Sequence, residues 1–213
     1  ATAADLQRLN RQCQPAFQPE TGSDYIRLTT HNRMAESYNE EQLRNLPSKA
    51  CTFRAETDGN FPEYSYPADF NLTLKKGAQV MFIRNDNNGR YYNGRIGHVT
   101  YVDSSKIVVL CPGDDEAIEV EAETWENTKY TLNERTKQIE AEVQGTFRQY
   151  PLRLAWAITI HKSQGLTFEH AIIDAQAAFA SGQVYVALSR CKTLEGLVLA
   201  SPISSQAIIN DSR

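Results

Sequence analysis

The chain has 213 residues, of which 41% are hydrophobic and 23% are charged, and its formal net charge is −4. These values are close to those of an average soluble globular protein, and the length allows one large domain or one domain with a small insertion. No apolar run approaches the roughly 20 residues that span a bilayer, so we expect a soluble protein without a membrane anchor. Residues 1–10 show no secretory signal, which favours the cytoplasm. Four scattered cysteines without a CxxC pair favour reduced, buried thiols over disulfides or a zinc site.

Charge is distributed unevenly along the chain. Residues 103–142 contain eleven acidic and four basic side chains, whereas the rest of the chain contains fifteen acidic and eighteen basic ones. A net negative charge argues against nonspecific nucleic-acid binding, because phosphate contacts need a local excess of Lys and Arg. The asymmetry instead indicates two physically different modules, although the acidic run at residues 114–126 equally fits a solvated face of short strands.

The first predicted elements alternate between strand and helix. Residues 25–30 are rich in β-formers and predict a strand, and the polar segment from His31 predicts a helix that Pro47 ends. Residues 50–56 predict a second strand, and a Lys-Lys-Gly turn at 75–77 leads into a buried strand ending near Arg84. We assign Lys75 and Lys76 to surface solvation rather than to ligand binding.

The middle of the chain shows a different residue pattern. Five short β-runs are separated by polar turns, and this spacing is typical of a small barrel. The predicted strands are Ile96–Val102, Lys106–Cys111, Ala117–Glu123, Thr128–Leu132 and Ile139–Phe147.

Helical and strand patterns then resume. Residues 152–162 predict a helix, residues 171–174 a buried strand, residues 183–190 a helix and residues 196–200 a strand. An α/β sheet thus begins before the barrel and continues after it. The predicted organisation is an α/β domain at residues 20–93 and 149–203, a β-barrel insertion at residues 94–148, an N-terminal connector at residues 1–19 and a C-terminal tail at residues 204–213.

The segment at residues 157–168 carries the first chemical signal. Apolar residues give way to His161, Lys162 and Ser163 and then to Gly165, which we interpret as a helix end that presents donors to a phosphate-rich ligand. An ordinary polar helix terminus explains the same residues. Serine-hydrolase chemistry has no support, because a nucleophile elbow needs glycine two positions before the serine and His161 stands there.

The segment at residues 182–190 carries the second signal. An apolar helical stretch delivers Arg190 at its end. Enzymes that hydrolyse nucleoside triphosphates use such an arginine to stabilise charge on the transferring γ-phosphate. A surface arginine at a helix end is the alternative interpretation.

Together these segments resemble conserved helicase motifs. AITIHKSQGLTF resembles motif V, QVYVALSRCKTLEGL resembles motif VI and RLTTHNRMAESYNEEQL resembles motif IV of the PIF-type and RecD-like superfamily 1B ATP-dependent DNA helicases. LKKGAQVMFIRND and NGRIGHV are similar to the segments where that family enters an SH3-like barrel. The resemblance covers about residues 24–201 and points to the C-terminal half of these proteins.

The resemblance implies a fold, an activity and a set of site residues. The fold would be α/β, with a RecA-like P-loop-type domain interrupted by a small SH3-like barrel, in a helicase of DNA repair and replication that moves 5′ to 3′ in the nucleoid. Arg190 would be the catalytic residue that reaches the γ-phosphate. Gln183, Gly165 and Thr167 would line the nucleotide, and single-stranded DNA would contact Thr30, His31, Asn32, His161, Lys162 and Ser163.

One feature of the family is missing. No GxxxxGK[ST] and no Mg²⁺-holding DE motif occur, so this chain would bind neither ATP nor Mg²⁺ alone. ATP and Mg²⁺ would act in the intact protein, with single-stranded DNA and the missing N-terminal RecA-like domain of the same polypeptide as partners. The alternatives are a free-standing single-strand or protein binding module, and an interaction domain that uses the acidic barrel.

Overall fold

The computed structural model describes residues 3–20, 22–132, 137–174 and 183–204. Three α-helices lie within these ranges: α1 (Ala3–Asn10), α2 (Asn32–Asn45) and α3 (Gln183–Leu188), and a 3₁₀ helix covers Glu63–Ser65. None of the described helices is long and apolar enough to cross a membrane. The strands in chain order are β1 (Ile26–Thr29), β2 (Cys51–Arg54), β3 (Glu56–Gly59), β4 (Asn71–Leu74), β5 (Gln79–Phe82), β6 (Ile96–Val102), β7 (Ile107–Leu110), β8 (Ile118–Val120), β9 (Glu123–Leu132), β10 (Ile139–Gln149), β11 (Leu152–Leu154), β12 (Ala157–Thr159), β13 (Ala171–Ile173) and β14 (Leu197–Leu199).

A four-stranded parallel sheet forms the centre of the α/β part, in the order β12-β1-β13-β14. Its strands are short apolar runs because both faces are covered. One face carries Ile26, Leu28 and Ile173, which pack in a core that includes Val184 and Ala187 of α3. The other face is covered by α2, whose Tyr38 ring lies under the guanidinium of Arg27 at 5.1 Å. The mixed α/β architecture predicted from the sequence is therefore confirmed.

Helix α2 runs from the carboxyl edge of this sheet back toward the amino edge. It ends at Asn45 because Leu46 precedes Pro47, and a residue before proline is disfavoured in helical conformation. The Nζ of Lys75 donates to the carbonyl of Leu46 at 2.7 Å. Lys75, which we assigned to surface solvation, thus caps the carboxyl end of α2, where a positive charge is favourable.

A five-stranded antiparallel sheet forms a second body, in the order β11-β5-β6-β7-β8. Its core includes Val80, Phe82, Val99, Ile107 and Leu152, and the antiparallel strand pair β2-β4 packs on the same core. Strands β5 and β11 lie outside residues 94–148, the range predicted for the inserted barrel. The sheet extends beyond that range because β5 pairs with β6 on one side and β11 on the other.

Strands β9 and β10 form a long antiparallel ribbon, and β3 pairs only with the basal part of β10. A small third core lies at this base, where Phe147 packs with Ala55 and Ala68 and with surrounding aromatic rings. The acidic run at residues 114–126 is largely solvated or paired: Asp114 bonds to Arg95 at 2.6 Å, and Glu119 bonds to Lys106 at 2.6 Å.

The predicted helix at residues 152–162 is wrong. The segment forms β11, a short connection, β12 and then a turn. A short apolar run has no periodicity that separates a buried helix from a buried strand, and the β-branched Ile158, Thr159 and Ile160 favour the strand. All three residues of β12 are buried, as expected for a parallel strand covered on both faces.

The four cysteines are free. Cys111 is buried, and burial raises the pKa of its thiol to about 11. Cys13, Cys51 and Cys191 are only partly buried, so the expectation of buried thiols holds fully for Cys111 alone.

Candidate functional site

The carboxyl edge of the parallel sheet brings motifs IV and V together. Strand β1 leads into Thr30 and His31, and β12 leads into His161 and Lys162. The two strands are adjacent, parallel and in a register that pairs Thr29 with Thr159. The segments that follow them therefore leave the sheet side by side, although they are 130 residues apart in the sequence.

The motif IV side of this edge is the start of α2. His31 is the N-cap residue in extended conformation, and its side chain makes no capping hydrogen bond to the helix. Its Nδ1 instead lies 2.7 Å from the hydroxyl of Thr30. The first turn of α2 contains no acidic residue, and Asn32 and Arg33 are exposed there. A helix N-terminus of this kind attracts anions. Arg33 was not among the DNA-binding residues predicted from the sequence, although it directly follows Asn32.

The motif V side is a tight turn rather than a helix end. The amide of Lys162 donates to the Thr159 hydroxyl at 3.3 Å, and the amide of Ser163 donates to the Thr159 carbonyl at 3.0 Å. His161 and Lys162 are exposed at this turn. Ser163 is completely buried, and its hydroxyl donates to the Ile160 carbonyl at 2.7 Å. The structure therefore places Ser163 inside the turn, where it holds the shape that presents its two neighbours.

The predicted nucleotide residues of motifs V and VI lie next to each other. Arg190 donates through Nη1 to the Leu166 carbonyl at 3.1 Å, between Gly165 and Thr167 in the chain. It also donates through Nε to the Val186 carbonyl at 3.1 Å. The amide of Phe168 donates to the Arg190 carbonyl at 2.7 Å, which joins the two segments through their backbones. Gly165 has a φ of +79°, a conformation that favours glycine.

The thiol of Cys191, next to Arg190 in the chain, provides no negative charge to pair with the guanidinium. Burial raises the pKa of the Cys191 thiol, so this neighbour stays neutral at physiological pH. Gln183 is the first residue of α3 and precedes Arg190 by seven residues, or about two helical turns. The prediction that Gln183 faces the same cleft stays a prediction. Residues 175–182, which precede it, lie outside the described residues.

Asn39 is a residue of this region that sequence reasoning missed. It is buried in α2, and its amide forms two 2.8 Å hydrogen bonds with the backbone of Ala157 in β12. The available signal was its spacing, because it follows the buried Ala35 by four residues and so lies on the same helix face. A cavity of about 300 Å³ lies between α2 and β12. Its lining includes Ala35, Asn39, Asn32 and Lys162.

Comparison with known proteins finds similarity to helicases over this region. A family model described as the UvrD-like helicase C-terminal domain matches residues 154–198, a range that contains β12, the His161–Lys162 turn, α3 and Arg190. The chain is 37% identical over 204 residues to ATP-dependent DNA helicase PIF1 of Homo sapiens, which covers 89% of this chain and 30% of the human protein. It is 32% identical over 232 residues to ATP-dependent DNA helicase Pif1 of Psychrobacter sp. (strain PRwf-1), which covers 87% of this chain and 35% of that protein.

The chain is thus homologous to Pif1-type helicases over most of its length. It corresponds to the C-terminal part of these proteins and spans about a third of the length of the two relatives named. The predicted resemblance to PIF-type helicases is therefore confirmed.

Solved Pif1 structures share the fold. The chain is 40% identical to unliganded Pif1 from Bacteroides sp, with a TM-score of 0.90 over 99% of this chain and 48% of that one. Against Bacteroides Pif1 in complex with ADP-AlF4 the TM-score is 0.88, over 98% of this chain and 47% of that one. Against Bacteroides Pif1 bound to ssDNA the TM-score is 0.74 at the same identity, over 99% of this chain and 48% of that one. The Pif1-type fold thus extends over nearly the whole chain.

Proposed function

We propose that this chain is the part of an ATP-dependent DNA helicase that holds single-stranded DNA at the carboxyl edge of its parallel sheet and supplies Arg190 to ATP bound by another domain. The observation that carries the proposal is the meeting of the His31 and Lys162 segments at the ends of adjacent parallel strands. Two exposed segments at one edge of the sheet form a surface on which single-stranded DNA can lie.

The chemistry of this edge suits phosphate groups. Lys162 adds a positive charge, and the N-terminus of α2 adds unpaired backbone donors with Arg33 beside them. His161, Thr30 and Asn32 would add hydrogen bonds. Contacts of this kind carry no sequence code, which suits a motor that steps along any sequence. Ser163 would act by holding the turn.

For the nucleotide side, we propose that Arg190 leaves the Leu166 carbonyl and bonds to the γ-phosphate when the ATP-binding domain closes. Its present acceptors are the Leu166 and Val186 carbonyls and the Ser189 hydroxyl, which are all neutral oxygens, and a guanidinium bonds more strongly to phosphate. Gly165 and Thr167 flank the same carbonyl, and Gln183 would approach from α3.

ATP and Mg²⁺ would be held by the other domain. Within the described residues, no group of three or more His, Cys, Asp or Glu side chains is placed to hold a metal ion. In this proposal Arg190 is the contribution of this chain to hydrolysis.

For the domain organisation, we propose a RecA-like domain with an inserted SH3-like barrel that is longer than the range of residues 94–148 predicted from the sequence. The antiparallel sheet supports a separate β module. Because β5 and β11 pair within that sheet, the module would begin near Gln79 and end near Leu154 in structural terms.

The DNA surface is tested by replacing Lys162 with alanine and measuring binding of a fluorescein-labelled oligothymidylate by anisotropy at low salt. We expect Lys162→Ala to weaken binding by about three- to tenfold and to lower the salt dependence by about one counterion, because one phosphate contact is lost. Lys76→Ala is the matched control, since Lys76 is exposed next to Ser48, beyond the other end of α2. Equal affinity for Lys162→Ala and wild type would rule out this surface.

The arginine assignment is tested in the intact protein by measuring ATP turnover stimulated by single-stranded DNA. Removing one transition-state charge contact typically costs about 10³-fold or more in rate, so Arg190→Ala should nearly abolish turnover. Arg190→Lys should restore little, because an ammonium group lacks the fork of donors. Single-strand affinity should stay near the wild-type value. Normal turnover by Arg190→Ala would eliminate the assignment and favour a free-standing binding module.

A further inference from the structure

Strand β12 is the outer strand of the parallel sheet on the side of motif V. The amide of Arg27 donates to the Trp156 carbonyl at 2.8 Å, and the amide of Ile160 donates to the Thr29 carbonyl at 2.9 Å. Successive residues of a strand direct their backbone groups to opposite sides, so Ala157 and Thr159 direct theirs away from β1. Such groups need partners when they are buried.

Asn39 supplies the partners for Ala157. The Ala157 amide donates to Oδ1 of Asn39 at 2.8 Å, and Nδ2 of Asn39 donates to the Ala157 carbonyl at 2.8 Å and to the Leu154 carbonyl at 3.5 Å. The side-chain amide of Asn39 thus occupies the position where the backbone of a neighbouring β-strand would otherwise bond to Ala157. The next outward carbonyl, that of Thr159, accepts from the Ser163 amide in the turn that follows β12.

These bonds fix the position of α2 along β12. Asn39 follows His31 by eight residues, or about two helical turns, and Ala157 precedes His161 by four residues. Both segments lead to the same edge of the sheet. A hydrogen-bonded pair with two 2.8 Å contacts allows only one register between helix and strand.

We infer that Asn39 is a positioning residue that sets the spacing between the motif IV and motif V halves of the single-strand surface. The inference rests on the proposed DNA-binding function. Asn39 is buried, so it acts through α2 on His31 and Asn32, and through β12 on His161 and Lys162.

Gln79 provides a matched control. It is also a buried amide bonded to this sheet, and its Nε2 donates to the carbonyls of Tyr25 and Ala155, both at 2.9 Å. Tyr25 and Ala155 precede β1 and β12, so Gln79 ties the sheet at its amino edge. Loss of either amide removes two or three buried hydrogen bonds, but only loss of Asn39 frees α2 from β12.

The test compares Asn39→Leu, Gln79→Leu and Lys162→Ala in this chain, with oligothymidylate anisotropy as the readout. We expect both leucine variants to lower the midpoint of thermal unfolding. Only Asn39→Leu should weaken single-strand binding, on the order of three- to tenfold, and the effect of Lys162→Ala should be smaller in the Asn39→Leu background than in wild type. Equal weakening by Asn39→Leu and Gln79→Leu, unchanged binding by Asn39→Leu, or independent effects of Asn39→Leu and Lys162→Ala would each overturn the inference.

A second readout separates this inference from the proposed function. In two-dimensional ¹H–¹⁵N spectra, Asn39→Leu should shift the amide resonances of both His31–Arg33 and His161–Lys162, whereas Gln79→Leu should leave them in place. If wild type binds no single strand, the proposed function falls, and these shifts alone decide whether Asn39 positions the two segments. If Asn39→Leu does not fold, Asn39→Asp replaces it in the same measurements. Aspartate keeps the oxygen that accepts from the Ala157 amide and loses the nitrogen that donates to the Ala157 carbonyl.

Discussion

Gly196 shows at the scale of one residue how closely motif VI is packed against the rest of the sheet. A Cβ at this position would lie 1.9 Å from the Glu169 carbonyl oxygen and 3.4 Å from the Cys191 sulfur. The Ala171 amide donates to the Gly196 carbonyl at 2.9 Å, immediately before β14 begins. Only glycine lets the segment after Arg190 approach the start of β13 this closely.

Replacing Gly196 with alanine should therefore destabilise the fold strongly. The clash is with backbone that cannot move independently, so we expect a loss of about 3 kcal/mol in the free energy of unfolding. Gly113→Ala is the comparison: Gly113 has a φ of +83° but no atom within 4 Å of its Cβ position, and we expect a loss of about 1 kcal/mol there. Urea unfolding monitored by circular dichroism measures both. Similar losses for the two variants would contradict the close approach at Gly196.

At the scale of one element, the β9-β10 ribbon combines two different faces. Register pairs Tyr130 with Ala141 and Leu132 with Ile139 on one face, and Lys129 with Glu142 on the other. The large apolar side chains of the first face are exposed, with Ile139 at 72% and Tyr130 at 70%. The distal ribbon therefore contributes little burial to the core, in contrast to the base around Phe147.

Shortening the ribbon should leave the fold intact. Replacing residues 130–141 with Asn-Gly joins the paired residues Lys129 and Glu142 by a two-residue turn that suits an antiparallel hairpin. We expect the free energy of unfolding to change by less than about 1 kcal/mol, because the removed side chains that the structure describes are exposed. Chemical denaturation checks this, with Phe147→Ala as the control that removes the buried base. A loss from shortening as large as that from Phe147→Ala would show that the distal ribbon packs on the body.

At the scale of the whole molecule, both apolar and polar contacts join the two sheets, since Met81 of β5 and Ile96 of β6 pack in the same core as Ile26 of β1. Gln79 belongs to β5 of the antiparallel sheet, yet its amide bonds to backbone carbonyls that lead into β1 and β12 of the parallel sheet. Gly94, in the loop before β6, lies against Leu166 of motif V: a Cβ there would meet the Leu166 side chain at 2.8 Å. The antiparallel module thus contacts the segment that holds Arg190.

Gln79→Leu tests the joint between the sheets. Two buried carbonyls lose their donor, so we expect a loss of about 2–3 kcal/mol in the free energy of unfolding. Thr52→Val removes an exposed hydroxyl pair with Thr73 at 2.9 Å and should cost under about 1 kcal/mol. Urea titration of both variants gives the difference. A joint that tolerates Gln79→Leu as well as Thr52→Val would mean that other contacts hold the two sheets together.

Local patterns in the sequence determined the types of most elements and the order of the motifs. The strand at β1, the helices α2 and α3, and the short strands of the middle region were predictable because hydrophobic period, turn residues and Pro47 act within a few residues. The family was recognisable from motifs IV, V and VI, since the residues that carry them are contiguous in the chain.

Only the tertiary structure decided which strands are neighbours and which motif residues face outward. Strand β12, within the segment predicted as a helix, is covered by β1 on its edge and by α2 on its face, both more than 100 residues away in the chain, whereas the hydrophobic period of the segment alone did not exclude a helix. Strands β5 and β11 joined the antiparallel sheet through pairing that spans about 70 residues, which no local period encodes. Ser163 turned inward and Asn39 closed the edge of β12 because buried backbone groups must find partners, and those partners exist only once the chain has folded.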